Sequence, residues 1–317
     1  MTVIIFLLIA FVTFLAGIFS LRWLTKSRED TDWAAAQRPG KVLTVDGVNL
    51  HYVDAGNPAC PAIVMIHGFG GHTFSFRCQL TGFSRDYYAV AIDLKGFGYS
   101  DRQPEGDYSL TEQARLILRA MDALKIGKAA LIGHSMGGEV AMRVAVSAPL
   151  RIERLVLAAS VSGQRVPFLP RPRFIRPFMP GLARLAVRRN FGKKMFYDPS
   201  SVDVENIHAT YLDAARITGS LNTVWQMWTD VPHDKPIDYA AITQPVLILA
   251  AEKERVIPLY PRVLAYLRAK LPHAQVLTIQ RTGHLLLEEN PTDANAAIRA
   301  FLQQVMTEIE TVATSTP

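Results

Sequence analysis

The clearest chemical signal in the sequence is a serine between glycines, in the run Gly133-His134-Ser135-Met136-Gly137. This run follows a short apolar, β-rich segment and precedes a helical pattern. In that context, glycines two positions before and after a serine allow a sharp strand-to-helix turn that lifts the hydroxyl clear of the sheet. The following helix would direct N–H groups at negative charge forming beside the serine. The motif predicts a nucleophilic Ser135, and the alternative is a glycine-rich turn whose serine only caps the helix.

A serine hydroxyl is a weak nucleophile near neutral pH and needs a base, which an acid must orient. The best candidate base is His284, in the run RTGHLLLEENP after the last predicted strand. Two glutamates, Glu252 and Glu254, lie in AAEKERVIP after the preceding predicted strand. Either one could orient an imidazole and stabilise its cation, so the residues alone leave both open.

The serine motif, the later acid and the final Gly-His together resemble the α/β-hydrolase superfamily of serine hydrolases, over residues 42–301. The resemblance implies an α/β-hydrolase fold, with a mostly parallel eight-stranded sheet, and the catalytic residues Ser135, His284 and Glu254. The family commonly has aspartate four residues before the proline, here Pro258, where this chain has Glu254. Glu252 remains the nearby alternative. Asp93, in a second family-like run, is interpreted as structural.

The resemblance also implies the groups that would surround the reacting atoms. The oxyanion hole would use the backbone N–H groups of Met136 and of Phe69, which follows the family-like His67-Gly68 pair. The implied substrate pocket has four members, which are His67, Gly68, His134 and Leu285.

The elements that must position these residues are predicted from alternating strand and helix patterns. The β-rich runs, typical of buried parallel strands, are 62–66, 88–92, 129–132, 154–158, 245–251 and 274–279. Asp46-Gly47 predicts a hairpin before them, and Ser109 to Glu112 forms a capping box that begins a helix. The alternation stops at Gly163. We therefore predict a hydrolase core over 41–162 and 236–317, interrupted by a helical cap over 163–235.

The N-terminus has a different character from the rest of the chain. Residues 3–21 read VIIFLLIAFVTFLAGIFSL, without a charge, and a helix of that length would span roughly 30 Å, the thickness of a bilayer core. No basic residue precedes the run and no clear cleavage site follows it, which favours a transmembrane anchor over 1–26 rather than a signal peptide. Residues 27–40 are predicted to be a linker. Basic residues after the span predict a single-pass protein whose catalytic domain is cytoplasmic.

The cap carries most of the positive charge. Residues 165–194 contain nine Lys or Arg, no Asp or Glu, and many aromatic and aliphatic residues. This mixture suits an anionic membrane surface, while the alternative is a cap whose apolar residues pack on the core. No nucleic-acid recognition fold accompanies it, so nucleic acid is not a predicted partner. An anchored hydrolase with such a cap resembles membrane-anchored monoacylglycerol lipases, which implies a lipophilic ester substrate.

Other functions remain open at this point. Carbon–carbon bond hydrolases of the meta-cleavage type and haloperoxidase-like members share the serine, acid and histidine, and a non-catalytic ligand-binding member is a further alternative. Epoxide hydrolases need aspartate where this chain has Ser135. The two cysteines, Cys60 and Cys78, form no CxxC pair, and no metal or organic cofactor is predicted. The oligomeric state is not predicted.

Overall fold

A single eight-stranded sheet runs through the protein. The computed structural model describes residues 12–20, 29–36, 39–161 and 192–304. The strands are β1 (Lys41–Val45), β2 (Val48–Ala55), β3 (Ala62–Ile66), β4 (Tyr88–Ile92), β5 (Ala129–His134), β6 (Ile152–Ala158), β7 (Val246–Ala251) and β8 (Gln275–Ile279). Their order is β1-β2-β4-β3-β5-β6-β7-β8. Strands β3 to β8 pair with one another in parallel, and β1 and β2 are antiparallel to their neighbours.

The sequence signals for these strands have direct physical causes. Asp46 and Gly47 have φ values of +48° and +76° between the paired residues Val45 and Val48, which confirms the predicted hairpin and its need for left-handed backbone. The central parallel strands are apolar throughout because both faces of the sheet are covered. Along β3, for example, alternate residues belong to separate core clusters on the two faces.

Helices cover both faces of the sheet and form the described part of the cap. They are α1 (Arg77–Phe83), α2 (Leu110–Ala123), α3 (Met136–Ser147), α4 (Gly192–Met195), α5 (Val204–Ala215), α6 (Ser220–Asp230), α7 (Tyr260–Lys270), α8 (Leu286–Glu289) and α9 (Pro291–Gln303). The Ser109 N-cap is confirmed, since Ser109 Oγ accepts the N–H of Glu112 at 3.1 Å. The reciprocal bond of a capping box is replaced, because the Ser109 N–H donates to Asp107 Oδ1 at 2.7 Å. Helices α1 and α8 were not predicted from the sequence because each is short and lacks a clear capping signal.

The predicted cap is helical where the structure describes it. Helices α4, α5 and α6 fall between β6 and β7, as expected for an insertion into the sheet domain. Phe196 and Ile207 from the cap form a small buried cluster with Leu285, so this part of the cap packs on the loop that carries His284. Residues 162–191, which contain most of the basic and aromatic stretch, lie outside the described residues.

The predicted membrane anchor is only partly within the described chain. Residues 12–20 are helical, while 1–11 and 21–28 lie outside the described residues. Among the residues described, no helix is both long and apolar enough to cross a membrane. The anchor over 1–26 therefore stays a prediction.

The predicted linker is docked on the cap over its described part. Thr31 forms a parallel β-bridge with Ile217, and the Glu29 carboxylate accepts the N–H of Leu221 at 2.6 Å. Leu221 lies in the first turn of α6, where N–H groups have no partner within the helix and attract negative charge. Acidic residues of this segment thus bind it to the cap.

Candidate active site

Ser135 occupies a strained turn between β5 and α3. Its backbone has φ +52° and ψ −119°, a conformation that a residue with a side chain adopts only when its surroundings impose it. The Ser135 N–H donates to the carbonyl of Ala158 at 2.9 Å, and the Ser135 carbonyl accepts the N–H of Gly138 at 3.0 Å. The turn is therefore held on both sides, and the side chain is at the carboxyl end of a central parallel strand.

The flanking glycines are explained by the close approach of backbone atoms. A Cβ on Gly133 would lie 2.4 Å from the carbonyl oxygen of Gly137, and a Cβ on Gly137 would lie 2.1 Å from that of Ile66. Neither contact can be relieved by rotating a side chain, since both involve main-chain oxygen. The serine turn thus requires glycine at both positions, for the reason inferred from the sequence.

His284 is hydrogen-bonded to Glu254. The distance from His284 Nδ1 to Glu254 Oε2 is 2.7 Å, and both side chains are almost completely buried. The other carboxylate oxygen of Glu254 accepts the N–H groups of Val256 at 2.7 Å and Ile257 at 3.0 Å. Glu252, the alternative acid, is exposed and accepts the N–H of Arg281 at 2.7 Å instead.

The hydrogen bonds of Glu254 determine its charge. Burial alone would raise the pKa of Glu254, but the bond from His284 and those from the Ile257 and Val256 N–H groups outweigh it and lower the pKa. An ionised carboxylate can only accept hydrogen bonds, so Nδ1 of His284 is the donor in this pair, and in the neutral form of the ring the free lone pair is on Nε2. This is the tautomer that a general base needs.

His134 connects the serine turn to the histidine loop. Its Nε2 donates to the carbonyl of His284 at 2.9 Å, and the two rings lie 4.8 Å apart. Burial and the neighbouring His284 lower the pKa of His134 to about 3, so the ring is neutral and acts as a donor. His134 was predicted to line a substrate pocket; in the structure its ring supports the His284 backbone, and the pocket role stays a prediction. The Ser135 hydroxyl itself has no hydrogen-bond partner within the described chain.

A tightly supported loop follows β3 and passes over the serine. A Cβ on Gly68 would lie 2.9 Å from the Cβ of Ser135, so only glycine allows this approach. His67 donates from Nδ1 to the Gly68 carbonyl at 2.7 Å and accepts the Leu94 N–H at Nε2, at 2.9 Å. Burial lowers the pKa of His67, which agrees with a neutral ring. His67 is fully buried and therefore supports the loop, and does not line the pocket as predicted.

The backbone N–H groups of Phe69 and Met136 are the predicted oxyanion donors. Phe69 follows Gly68 in the same loop, and Met136 is the first residue of α3. In the described parts of the chain, neither N–H donates to a protein acceptor. Unpaired N–H groups at a helix start and in an adjacent loop suit a developing oxyanion. The Phe69 ring is half-exposed and meets Phe97 edge-on, with ring centroids 5.6 Å apart.

Asp93 is part of the framework, as interpreted from the sequence. Its carboxylate bonds to His51 Nδ1 at 2.7 Å and to the N–H groups of Thr73 at 2.6 Å and Tyr99 at 2.8 Å. Burial opposes its ionised form, but the hydrogen bond from His51 and the neighbouring imidazoles outweigh it and lower the pKa of Asp93 to about 2. Asp93 therefore anchors the loops after β3 and β4, and it makes no contact with His284.

Three residues near the site were missed by the sequence analysis. Glu288 and Glu289 follow His284 on α8, and Tyr211 lies on the cap helix α5. Tyr211 donates to Glu288 at 2.5 Å, and Glu289 accepts the N–H of Gly283 at 2.7 Å. The only available signal was the pair of acids directly after an apolar run, which also fits a solvated helix end. Within the described residues, no group of three or more His, Cys, Asp or Glu could hold a metal ion.

Comparisons with known proteins agree with this architecture. A family profile described as alpha/beta hydrolase fold matches residues 61–291. The uncharacterized hydrolase YugF of Bacillus subtilis is 27% identical over 282 residues, which cover 84% of this chain and 99% of that protein. The 2-hydroxy-6-oxo-2,4-heptadienoate hydrolase of Pseudomonas putida is 28% identical over 79% of this chain and 92% of its own length. Among solved structures, a bacterial membrane phospholipase A has a TM-score of 0.70 and 21% identity, covering 96% of this chain and 99% of its own.

Proposed function

The chain belongs to the α/β-hydrolase family, and two of the similar proteins described above are named as hydrolases. From this premise we propose that it is a serine hydrolase, which acts on carboxylic esters through an acyl-Ser135 intermediate. The observation that carries this proposal is the buried hydrogen bond between Glu254 and His284. It supplies a base of the correct tautomer on a loop that His134 joins to the serine turn.

The proposed reaction has two halves that use the same groups. In the first, His284 Nε2 takes the proton of Ser135 Oγ as that oxygen attacks the ester carbonyl. The resulting oxyanion accepts hydrogen bonds from the N–H groups of Phe69 and Met136. The ester C–O bond then breaks, and the leaving alcohol takes from His284 the proton that came from Ser135. In the second half, His284 deprotonates a water that attacks the acyl-serine. The carboxylic acid leaves and Ser135 regains its proton.

The proposed substrates are lipophilic acyl esters, such as a monoacylglycerol or a lysophospholipid. The support is the apolar run 3–21 and the basic, aromatic stretch 165–194, both of which suit work at a lipid surface. We further propose that the protein is a single-pass membrane protein with a cytoplasmic catalytic domain. Recovery of the full chain in the supernatant after an alkaline carbonate wash would contradict this anchoring.

The nucleophile is tested by labelling with a fluorophosphonate, which reacts with activated serines. The wild type should be labelled, and Ser135→Ala should not. Ser147→Ala is the matched control, because Ser147 is exposed at the far end of the same helix. Persistent labelling of Ser135→Ala would refute the assignment of the nucleophile.

Carbon–carbon bond hydrolysis is the second candidate function. The observation that favours it is the similarity over most of both chains to the 2-hydroxy-6-oxo-2,4-heptadienoate hydrolase. A series of p-nitrophenyl esters with increasing acyl length separates the two. Turnover that rises with chain length supports the lipophilic ester proposal. An optimum at short chains would support ester hydrolysis but contradict the preference for lipophilic substrates. No turnover of any ester, with cleavage of a ring-fission dienoate, would favour the second candidate.

A further inference from the structure

Two consecutive acids on α8, Glu288 and Glu289, take no part in the proposed chemistry. They follow His284 by four and five residues, and each of them bonds to a different part of the cap. The loop that carries the base and the described part of the cap are therefore joined through one short helix.

Glu289 forms a bridge between the histidine loop and the start of the described cap. Its Oε2 accepts the N–H of Gly283, directly before His284, at 2.7 Å. Its Oε1 accepts the N–H groups of Tyr197 at 2.7 Å and Asp198 at 3.0 Å. A single carboxylate thus satisfies three backbone donors, and such charge-assisted bonds are stronger and more directional than neutral ones.

The backbone on both sides of His284 touches the same cap segment. A Cβ on Gly283 would lie 2.6 Å from the carbonyl oxygen of Met195 and from the carbonyl carbon of Phe196. On the other side, the N–H of Leu285 donates to the Met195 carbonyl at 3.2 Å. His284 therefore stands between two contacts with the cap, and displacement of segment 195–198 would act on both of its neighbours.

Glu288 provides a second attachment, to the cap helix α5. Its carboxylate is buried, accepts the Tyr211 hydroxyl at 2.5 Å and pairs with Arg77. The Tyr211 oxygen is also 2.6 Å from Ser75 Oγ, in the turn that follows the loop over the serine. The cap helix is consequently tied to both of the loops that border Ser135.

We propose that Glu289 is a positioning residue, which aligns His284 only while the cap is seated, with the Glu288–Tyr211 bond as the second attachment. This inference rests on the proposed function, since it assigns a role in the same reaction. When segment 195–198 moves away, Glu289 loses its cap partners and no longer holds the Gly283 N–H in place. Seating of the cap segment and alignment of the base then occur as one transition, which restricts serine activation to the state in which segment 195–198 is in place.

The test compares Glu289→Gln, Glu289→Asp and the wild type. Glutamine keeps one oxygen, but its NH₂ group cannot accept a hydrogen bond. It can therefore bind either the Gly283 N–H or the N–H groups of the cap segment, but not both. We expect Glu289→Gln to lower kcat for a short-chain ester, and the rate of fluorophosphonate labelling, by about tenfold or more, with KM changed by less than about twofold. Aspartate retains the charge and should recover part of the lost rate, which a general loss of stability would not produce.

Several results would overturn the inference. Glu153→Gln is the control, because Glu153 is exposed at the amino-terminal end of β6, whereas the site lies at the carboxyl ends of the strands. This variant should behave as the wild type. Equal labelling rates for Glu289→Gln and the wild type would refute the positioning role while leaving the proposed function intact. Failure of the wild type to label would instead refute the proposed function. If Glu289→Gln does not fold, Tyr211→Phe must slow labelling, and a wild-type rate for that variant would refute the coupling.

Discussion

The imidazole of His134 donates a hydrogen bond to the main-chain carbonyl of His284, at 2.9 Å. The residue directly before the serine therefore holds the residue that carries the base, across 150 positions of the sequence. Because that contact is made to the backbone, it sets the position of the loop and leaves the His284 ring free to bond to Glu254. The serine turn and the histidine loop are thus joined by a contact within the protein itself.

The neutral state of His134 predicts a pH dependence of stability. Burial lowers its pKa from 6.5 to about 3, so the unfolded chain binds a proton at this position between those values and the folded chain does not. The contribution of His134 to the free energy of unfolding should therefore be fully present above about pH 6.5. It should decrease as the pH falls toward 3, by at most about 1.4 kcal/mol per pH unit. Denaturant unfolding of the wild type and of His134→Gln, which keeps a donor but does not titrate, measures this contribution.

The control for that experiment is His273→Gln, since His273 is exposed at the far side of the sheet domain. The control keeps His134 and should therefore keep the loss of stability that His134 causes between pH 6.5 and 3. An identical slope in His134→Gln and the wild type would mean that His134 is not held neutral.

Replacing Glu254 tests which acid orients the base. Glu254→Gln should lower kcat by about 10³- to 10⁴-fold, because an amide NH₂ facing Nδ1 favours the wrong tautomer of His284. Glu254→Asp keeps the charge with a shorter reach and should lose less. Steady-state kinetics with a short p-nitrophenyl ester measure both. Glu252→Gln is the matched control, and a large loss of kcat in that variant with an active Glu254→Gln would reverse the assignment.

The serine turn and most of the sheet could be predicted from the sequence because their causes are local. The contact that requires glycine at 133 lies within the turn, with the carbonyl oxygen of Gly137. Gly137 is constrained by the carbonyl oxygens of Ile66 and His67, which are remote in sequence, and only the motif as a whole predicted it. The hairpin at Asp46-Gly47 and the Ser109 cap are local in the same way.

Contacts between distant parts of the chain could not be predicted in this way. Glu252 and Glu254 are two positions apart with similar neighbours, and only the path of the chain after β7 turns Glu254 toward His284. His67 and His134 lie in motifs that suggested a pocket, but their partners, Leu94 and the carbonyl of His284, are remote in sequence. The docking of the predicted linker on the cap likewise depends on residues about 190 positions away.

The packing around Gly137 predicts a large effect from one methyl group. In Gly137→Ala the new Cβ would meet the Ile66 carbonyl oxygen at 2.1 Å and that of His67 at 2.5 Å. Since both atoms belong to the backbone, relief requires β3 or α3 to shift, with an expected loss of stability of about 3 kcal/mol. Gly127→Ala is the matched control, because nothing lies within 4 Å of its Cβ position. Thermal unfolding of the two variants makes the comparison, and equal midpoints would contradict the packing described.

The docked segment before the sheet predicts that Glu29 stabilises the start of α6. Its carboxylate accepts the N–H groups of Leu221 at 2.6 Å and Gly219 at 3.2 Å, as an N-cap side chain would. Glu29→Ala leaves those donors without their partner, and loss of a cap costs about 1 kcal/mol. Hydrogen exchange at residues 219–223 should therefore accelerate by about fivefold, while the core strands keep their protection. Glu105→Ala, on an exposed loop, should leave exchange at α6 unchanged, and equal exchange in both variants would show that the segment rests on the cap without holding it.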